Sequence, residues 1–458
     1  MKFSSVEPSI VALTSTRIQS LRSHFKPSVN STLRHSKWLL PTNRYYSNAT
    51  TQIKADYSSL PYDPLNNTDV ASYILCSSPV HCLDGWSFLS RSIDALIHGD
   101  IASVVHFAYY AELRAALAIL AADGIGILKS NHILAQFSGA TNVTVWNGNT
   151  HEDAWLALEA WSKSSRSSDL FLRGIRLDNV PLEDWLTGFG IPQVAASRLT
   201  GQTLLQQWGF DLQLSSAIPP VRSIYDRDAR NEVSYRPSRL TPWPQCKIDE
   251  NYELIQSLWA LLQPSFQFLD RELLVSTLID SNLPDYNRHV ENMVLYALDR
   301  VNLSLFKKSN RPIPSERAQR WKNFLTSPTR HKVISYARSD DSVRSNDYHL
   351  QILCRAALLL RIATANCQQL LRDWSISPTQ LHFWWHSIIE DLGIVPSGKS
   401  PDTAEDLWFD IEMHSEDLNT WMQTQTAPLT TFAWRRENAE HLSVLGEFER
   451  AGLWGMGL

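Results

Sequence analysis

Between His106 and Arg114 the chain places an imidazole, two phenols, a carboxylate and a guanidinium: His106, Tyr109, Tyr110, Glu112 and Arg114. An arginine can clamp a phosphate through two parallel hydrogen bonds, an imidazole can move a proton near neutral pH, and phenols can stack or donate hydrogen bonds. His132 and His151 follow, each at the expected start of a further helix, where an imidazole could complete a small polar cluster with the first group. The candidate cluster is therefore His106, Tyr110, Arg114, His132 and His151. The competing reading is packing, with Glu112 and Arg114 satisfied by neighbouring helices and the tyrosines filling a seam between helices.

The element that must position this group is the run from Ile101 to Ala122, which holds no proline or glycine and is rich in alanine and leucine. That composition predicts a long helix, with Asp100 as its N-cap and Asp123 and Gly124 ending it. On it His106, Tyr110, Leu113, Leu117 and Leu120 share one side, Arg114 lies at the edge of that stripe, and Tyr109 and Glu112 point elsewhere. Before it, Trp86, Leu89, Ile93 and Ile97 recur at helical steps in a helical stretch from Val70 to Ile97. After it, Ser130 and Asn131 predict a second helix carrying His132, Leu134 and Phe137, folded back on the first as an antiparallel hairpin. Thr141 to Thr150 reads as a short extended excursion, hardly a sheet, and Thr150 as the N-cap of a helix bearing Trp155, Leu158 and Trp161.

The fold class expected is mainly α, a multi-helix bundle plus a second helical region. Residues 1–55 carry Lys2, Arg17, Arg22, Lys26, Arg34, Lys37, Arg44 and Lys54 against Glu7 alone, and read as a basic arm. A helical domain occupies 56–214, and prolines 219, 220, 237, 242 and 244 place a connector at 215–248. A second helical domain follows over 249–458, with helices expected near 249–262, 270–279, 289–303, 347–374 and 378–392. The acidic stretch from Asp402 to Asp417 alternates with Leu407, Trp408, Ile411 and Leu418, which predicts a solvated helix face rather than a metal cage.

With 458 residues, 43% hydrophobic and 19% charged, the chain has apolar surface for a sizeable core, which excludes a disordered or coiled-coil protein. The formal net charge of −5 gives no global attraction to nucleic acid or anionic membrane, so such a contact must be a local patch. Five cysteines without a close CxxC pair, and no run of about 18 to 20 consecutive apolar residues, lead to the expectation of a soluble, cytoplasmic protein with no membrane contact. The phosphate-loop, dinucleotide, zinc-peptidase and esterase signatures are missing, and no metal or cofactor is expected.

The stretch HFAYYAELRAALAILAADGIGILKSNHILAQF, His106 to Phe137, resembles the central helical hairpin of HEPN-type domains, in the YaaC-like bacterial branch. Tyr109, Tyr110, Ala111, Ala115, Ala116, Leu120, Gly124, His132 and Phe137 carry the likeness, which extends loosely over 60–175. The resemblance implies a helical, often dimeric protein of a toxin–antitoxin or anti-phage system. In the active version an arginine and a histidine a few residues apart, in a late helix of the bundle, cleave RNA without metal. There the imidazole handles the 2′-hydroxyl or leaving-group proton and the arginine stabilises the phosphorane. This chain departs from that pattern after Thr150, where His151 has no arginine at such a spacing on its amino-terminal side.

Suitably spaced pairs occur elsewhere, at Arg17 and His24, Arg344 and His349, and Arg436 and His441. Arg344 and His349 lead into a strong helix with Arg355 and Arg361, which makes them the candidate catalytic pair and those two arginines the candidate nucleic-acid contacts. The expectation is an HEPN-like recognition or assembly subunit of a bacterial defence or stress system, homo-oligomeric or joined to a protein partner through the hairpin seam. RNA or DNA would be contacted through a local basic patch. The alternative is a metal-independent ribonuclease effector.

Overall fold

The alanine-rich run after Asp100 forms a helix from Ile101 to Ala122, and the Asp100 carboxylate accepts a hydrogen bond from the Ser103 amide at its start. Asp123 and Gly124 end it, and Gly124 takes a φ of +80°. The structure is a computed structural model and describes residues 1–29, 38–59, 62–177, 180–189, 191, 201–208, 210, 222–235, 247–280, 331–338, 347–396, 398–399, 401, 403–425 and 430–457. The helix expected near 289–303, together with Arg34, Lys37, Cys246 and Arg344, lies outside them.

In chain order the elements are α1 (Glu7–Val11), α2 (Ser15–His24), α3 (Ala49–Asp56), α4 (Leu65–Ile97), α5 (Ile101–Ala122), β1 (Ile125–Gly126), β2 (Asn131–Phe137), β3 (Thr141–Asn147), α6 (Thr150–Ser162) and α7 (Ser165–Gly174). The short hairpin β4 (Arg176–Leu177) and β5 (Val180–Pro181) leads to α8 (Leu182–Gly188) and α9 (Arg222–Tyr235). Then come α10 (Ile248–Leu262), α11 (Gln267–Asp280), α12 (Lys332–Arg338), α13 (Tyr348–Asp373), α14 (His382–Asp391), α15 (Ala404–Thr424), α16 (Thr431–Glu437), α17 (Ala439–Leu445) and α18 (Glu449–Met456). The chain is thus predominantly helical.

Three helices, α4, α5 and α13, form the centre, with every residue of α13 from Tyr348 to Cys367 buried. Gly85 on α4 lets the three meet, because a Cβ there would stand 2.6 Å from Leu360 Cδ2 and 3.5 Å from the Ala111 carbonyl oxygen. By length and composition α5 and α13 could each cross a bilayer, but in this fold other helices enclose them. Within the chain α4 and α13 both pack along α5.

The second arm of the expected helical hairpin is a strand. β2 pairs antiparallel with both β1 and β3, in a register that sets His132 opposite Trp146 and Phe137 opposite Thr141. The three residues Ser138 to Ala140, with Gly139 at a φ of +78°, turn the chain too tightly for a helix to continue. Ile133 and Ala135 then alternate against Val145 and Val143, so the segment gains more from pairing with its neighbour than seven residues gain from a helix. Most of the expected excursion, Thr141–Asn147, is accordingly an edge strand of a three-stranded sheet. The cap of α6 is Asn149, whose side chain accepts from the His151 amide, rather than Thr150.

The basic arm and the connector also differ from expectation. Val6, Ile10, Leu13, Ile18 and Leu21 are buried, and one apolar cluster runs from Val6 to Met456, so the first residues and both flanks of 215–248 contribute to one core. Residues 221–236 are free of proline, which permits α9 to form inside the expected connector and to lie along α5. Arg22 is completely buried: its Nε donates to the Ala122 carbonyl at 2.8 Å and its other nitrogens meet Asp123, Asn366 and Asp373. Arg22, from this acid-poor segment, thus finds its carboxylates on α13 and at the end of α5.

Candidate functional site

α4 and α5 leave part of their shared face open, and a cleft of about 920 Å³ lies there against α3, the 127–131 segment and the first residue of α6. Leu113, Leu117 and Ile127 supply apolar lining, while Lys54, Lys129, Arg114 and His81 supply positive charge and an imidazole. No carboxylate is among the lining residues. The acidic groups beside α3 are engaged elsewhere, Arg44 holding Asp56 with two bonds of 2.6 and 2.8 Å and donating its amide to Asp69.

Arg114 Nη1 donates to His81 Nδ1 at 2.8 Å and lies 3.4 Å from Asp84 Oδ2. A guanidinium can only donate, so Nδ1 accepts and the neutral ring carries its proton on Nε2. Burial, reinforced by the Arg114 charge, pushes the His81 pKa down to about 3. This imidazole is thus a fixed neutral group at physiological pH rather than a proton shuttle.

Tyr110 joins the cleft to a second group. Its ring lies 5.1 Å from His106, 5.3 Å from Phe88 and 6.4 Å from His151, centroid to centroid. Tyr109 Oη shares a 3.1 Å hydrogen bond with His151 Nδ1, and His106 Nδ1 shares one of 2.8 Å with Ser234 Oγ. From α9, the Arg230 guanidinium sits 5.1 Å over the Tyr109 ring and 5.4 Å over the Tyr110 ring. Burial, with the Arg230 charge beside it, lowers the pKa of both His106 and His151, and burial pushes the Tyr109 phenol up to about 12.

His106, Tyr110, Arg114 and His151 therefore do come together along one side of α5, with Tyr110 as the shared member. His132 does not join them. It is fully buried behind the sheet, its ring 5.3 Å from Trp146, and Nδ1 accepts from the Leu128 amide at 3.1 Å. Asp153 Oδ2 lies 3.5 Å from His132 Nε2, while Asp153 Oδ1 accepts from the Trp146 indole at 2.9 Å. This imidazole closes the 128–131 turn instead of facing a ligand, because β2 is buried on both faces from His132 to Ala135.

Arg355 and Arg361 do not reach solvent either, at 1% and 3% exposure. Arg355 Nη2 bonds both Asp226 oxygens at 2.7 Å and its Nε bonds Glu112 at 3.2 Å. Arg361 holds Asp270 through Nε and Nη2 at 2.9 and 2.7 Å. Their charges are consumed inside the protein, which removes them as nucleic-acid contacts. His349 is 6% exposed on α13, and Arg344, its proposed partner, lies outside the described residues.

Sequence reasoning missed His81, Lys54 and Lys129. A signal for the first existed: Tyr73, Ser77, His81 and Asp84 form a polar row at helical steps on an otherwise apolar α4. Among the described residues no three histidines, cysteines or carboxylates come close enough together to hold a metal ion.

The depressed imidazoles have a measurable consequence. Between the unfolded histidine value near 6.5 and the lower folded values of His81 and His132, the unfolded chain binds protons that the folded chain does not. Their contribution to stability is complete above about pH 6.5 and is lost as the pH falls toward the folded values. Thermal unfolding should therefore show a midpoint that drops between about pH 7 and pH 5, and a flat profile across that interval would contradict the neutral assignments.

Comparisons of the chain with protein-family models, with curated proteins and with solved structures give no match.

Proposed function

We propose that this chain is a recognition protein whose cleft takes a phosphate-bearing ligand of about nucleotide size. One observation carries the reading: an open cleft of about 920 Å³, in a chain of net charge −5, lined by Lys54, Lys129 and Arg114 and by no carboxylate. That volume is within the range of small-molecule sites, and cations around an apolar lining favour an anion with an organic body. The recognition role implied by the HEPN resemblance is of the same kind, although the helical hairpin on which that resemblance rests is here a helix followed by a strand. The ribonuclease alternative gains no support, since His349 is buried in α13.

Calorimetric titration of the full chain with a nucleoside, its 5′-monophosphate and a short 5′-phosphorylated oligonucleotide tests this. The phosphorylated ligands should bind, with affinity that falls as salt rises, and the nucleoside should not. The double variant Lys54→Glu and Lys129→Glu should weaken binding about a hundredfold, at ~1.4 kcal/mol for each lost contact. Equal binding of nucleoside and nucleotide, or none of either, would overturn the reading.

A further inference from the structure

We infer that Arg114 sets the specificity of this cleft by gripping a terminal phosphate monoester through the Nε and Nη2 edge of its guanidinium, with His81 as the residue that positions it. The inference rests on the phosphate-recognition reading and goes further by naming the chemical group and the atoms that take it.

The guanidinium is used asymmetrically. Both of its described partners, His81 Nδ1 at 2.8 Å and Asp84 Oδ2 at 3.4 Å, meet Nη1. Among the described residues Nε and Nη2 have no partner, although only 32% of the side chain is exposed. These two nitrogens carry parallel N–H bonds in one plane, the geometry that matches two oxygens of a phosphate. A lysine would bring the charge without the fork.

The arginine is also held at both ends by one helix. His81 and Gly85 stand one turn apart on α4. Gly85 lies against the base of the stem, a Cβ there coming within 3.4 Å of Arg114 Cβ, and His81 anchors the far end. Because His81 is neutral and its Nδ1 must accept, it fixes the plane of the guanidinium without adding or removing charge.

Charge balance separates a phosphate from a carboxylate. Lys54, Lys129 and Arg114 bring three positive charges and Asp84 one negative, which leaves a surplus of two in and beside the cleft. A phosphate monoester near neutral pH carries about −1.5 to −2, which balances that surplus, whereas a carboxylate supplies half of it.

The test uses the full chain with adenosine 5′-monophosphate and inorganic phosphate as probes and acetate as the carboxylate control. Arg114→Lys, which keeps the charge, should lower affinity for both phosphate probes at least about tenfold while the thermal midpoint stays within a few degrees of the parent. His81→Ala should cost about fivefold, and His81→Gln, whose amide oxygen can accept from Nη1, should recover to within about twofold. Parent-like affinity in Arg114→Lys would overturn the assignment while leaving the cleft reading intact, provided the lysine double variant has lost binding. A glutamine variant no better than alanine would remove His81 as the positioning residue, and acetate binding as tightly as phosphate would refute the choice of group. Failure of the parent chain to bind either phosphate probe would sink the cleft reading itself.

Discussion

Asp123→Ala is expected to unfold most of the protein at room temperature, or to lower its unfolding free energy by at least ~3–5 kcal/mol. Asp123 is fully buried and accepts from two guanidiniums, Arg22 at 2.7 Å and Arg166 at 2.9 Å, as well as from the Trp161 indole at 2.8 Å. Both arginines also donate to the Asn366 amide oxygen, at 2.7 and 2.6 Å, so they face each other across one carboxylate. Burial alone would raise the Asp123 pKa, but Arg166 and Arg22 outweigh it and hold the carboxyl below its ordinary range. Without it, two buried positive charges would remain beside a single carboxylate, Asp373, whose side chain is 16% exposed. Against a total stability of about 5–15 kcal/mol, such a loss is decisive. Urea unfolding of Asp123→Ala, with the more exposed Asp373→Asn as the milder control, measures it. A variant within about 1 kcal/mol of the parent would show that the two arginines have other means of neutralisation.

The second large effect concerns α9. Arg355→Met should cost about 3–5 kcal/mol, because it takes the guanidinium away from Asp226 and Glu112 in the core, where Tyr348 also donates to Asp226. Asp226 is the charged tether of α9, and Arg230 on the same helix covers Tyr109 and Tyr110. The same variant should therefore speed amide hydrogen exchange in α9 ahead of the rest of the core. Uniform exchange in α9 and the centre would argue against this tether. Combining Arg355→Met with Glu112→Gln and Asp226→Asn, which removes the two negative charges that Arg355 met, should return much of the loss.

The two strongest local signals in the sequence became structure directly. The run from Ile101 to Ala122 formed with the bounds its composition and caps dictate, and Tyr348–Asp373 falls within a residue of the helix expected at 347–374. The density of polar groups from His106 to Arg114 likewise marks the α5 side of the cleft. What local pattern could not show was anything decided by distant chain. Asn131–Phe137 is too short for periodicity to separate helix from strand, and its partner strand settled the matter. Arg355 and Arg361 resemble exposed cations breaking an apolar run, because their carboxylates lie 129 and 91 residues away. Lys54 and Lys129 meet at one cleft only after α3 and the β1–β2 turn have been brought onto α4 and α5.

The enclosed position of α13 bears on how the protein is born. Glu112, Asp226 and Asp270 are all made before the helix whose arginines meet them, and Glu112 precedes Arg355 by 243 residues. At ~5–20 residues per second, a ribosome needs on the order of 10–50 s to close that gap. Throughout this interval the nascent polypeptide presents a greasy trench whose carboxylates still lack the α13 arginines, so its yield in the cell should depend on holding chaperones far more than its finished stability would suggest.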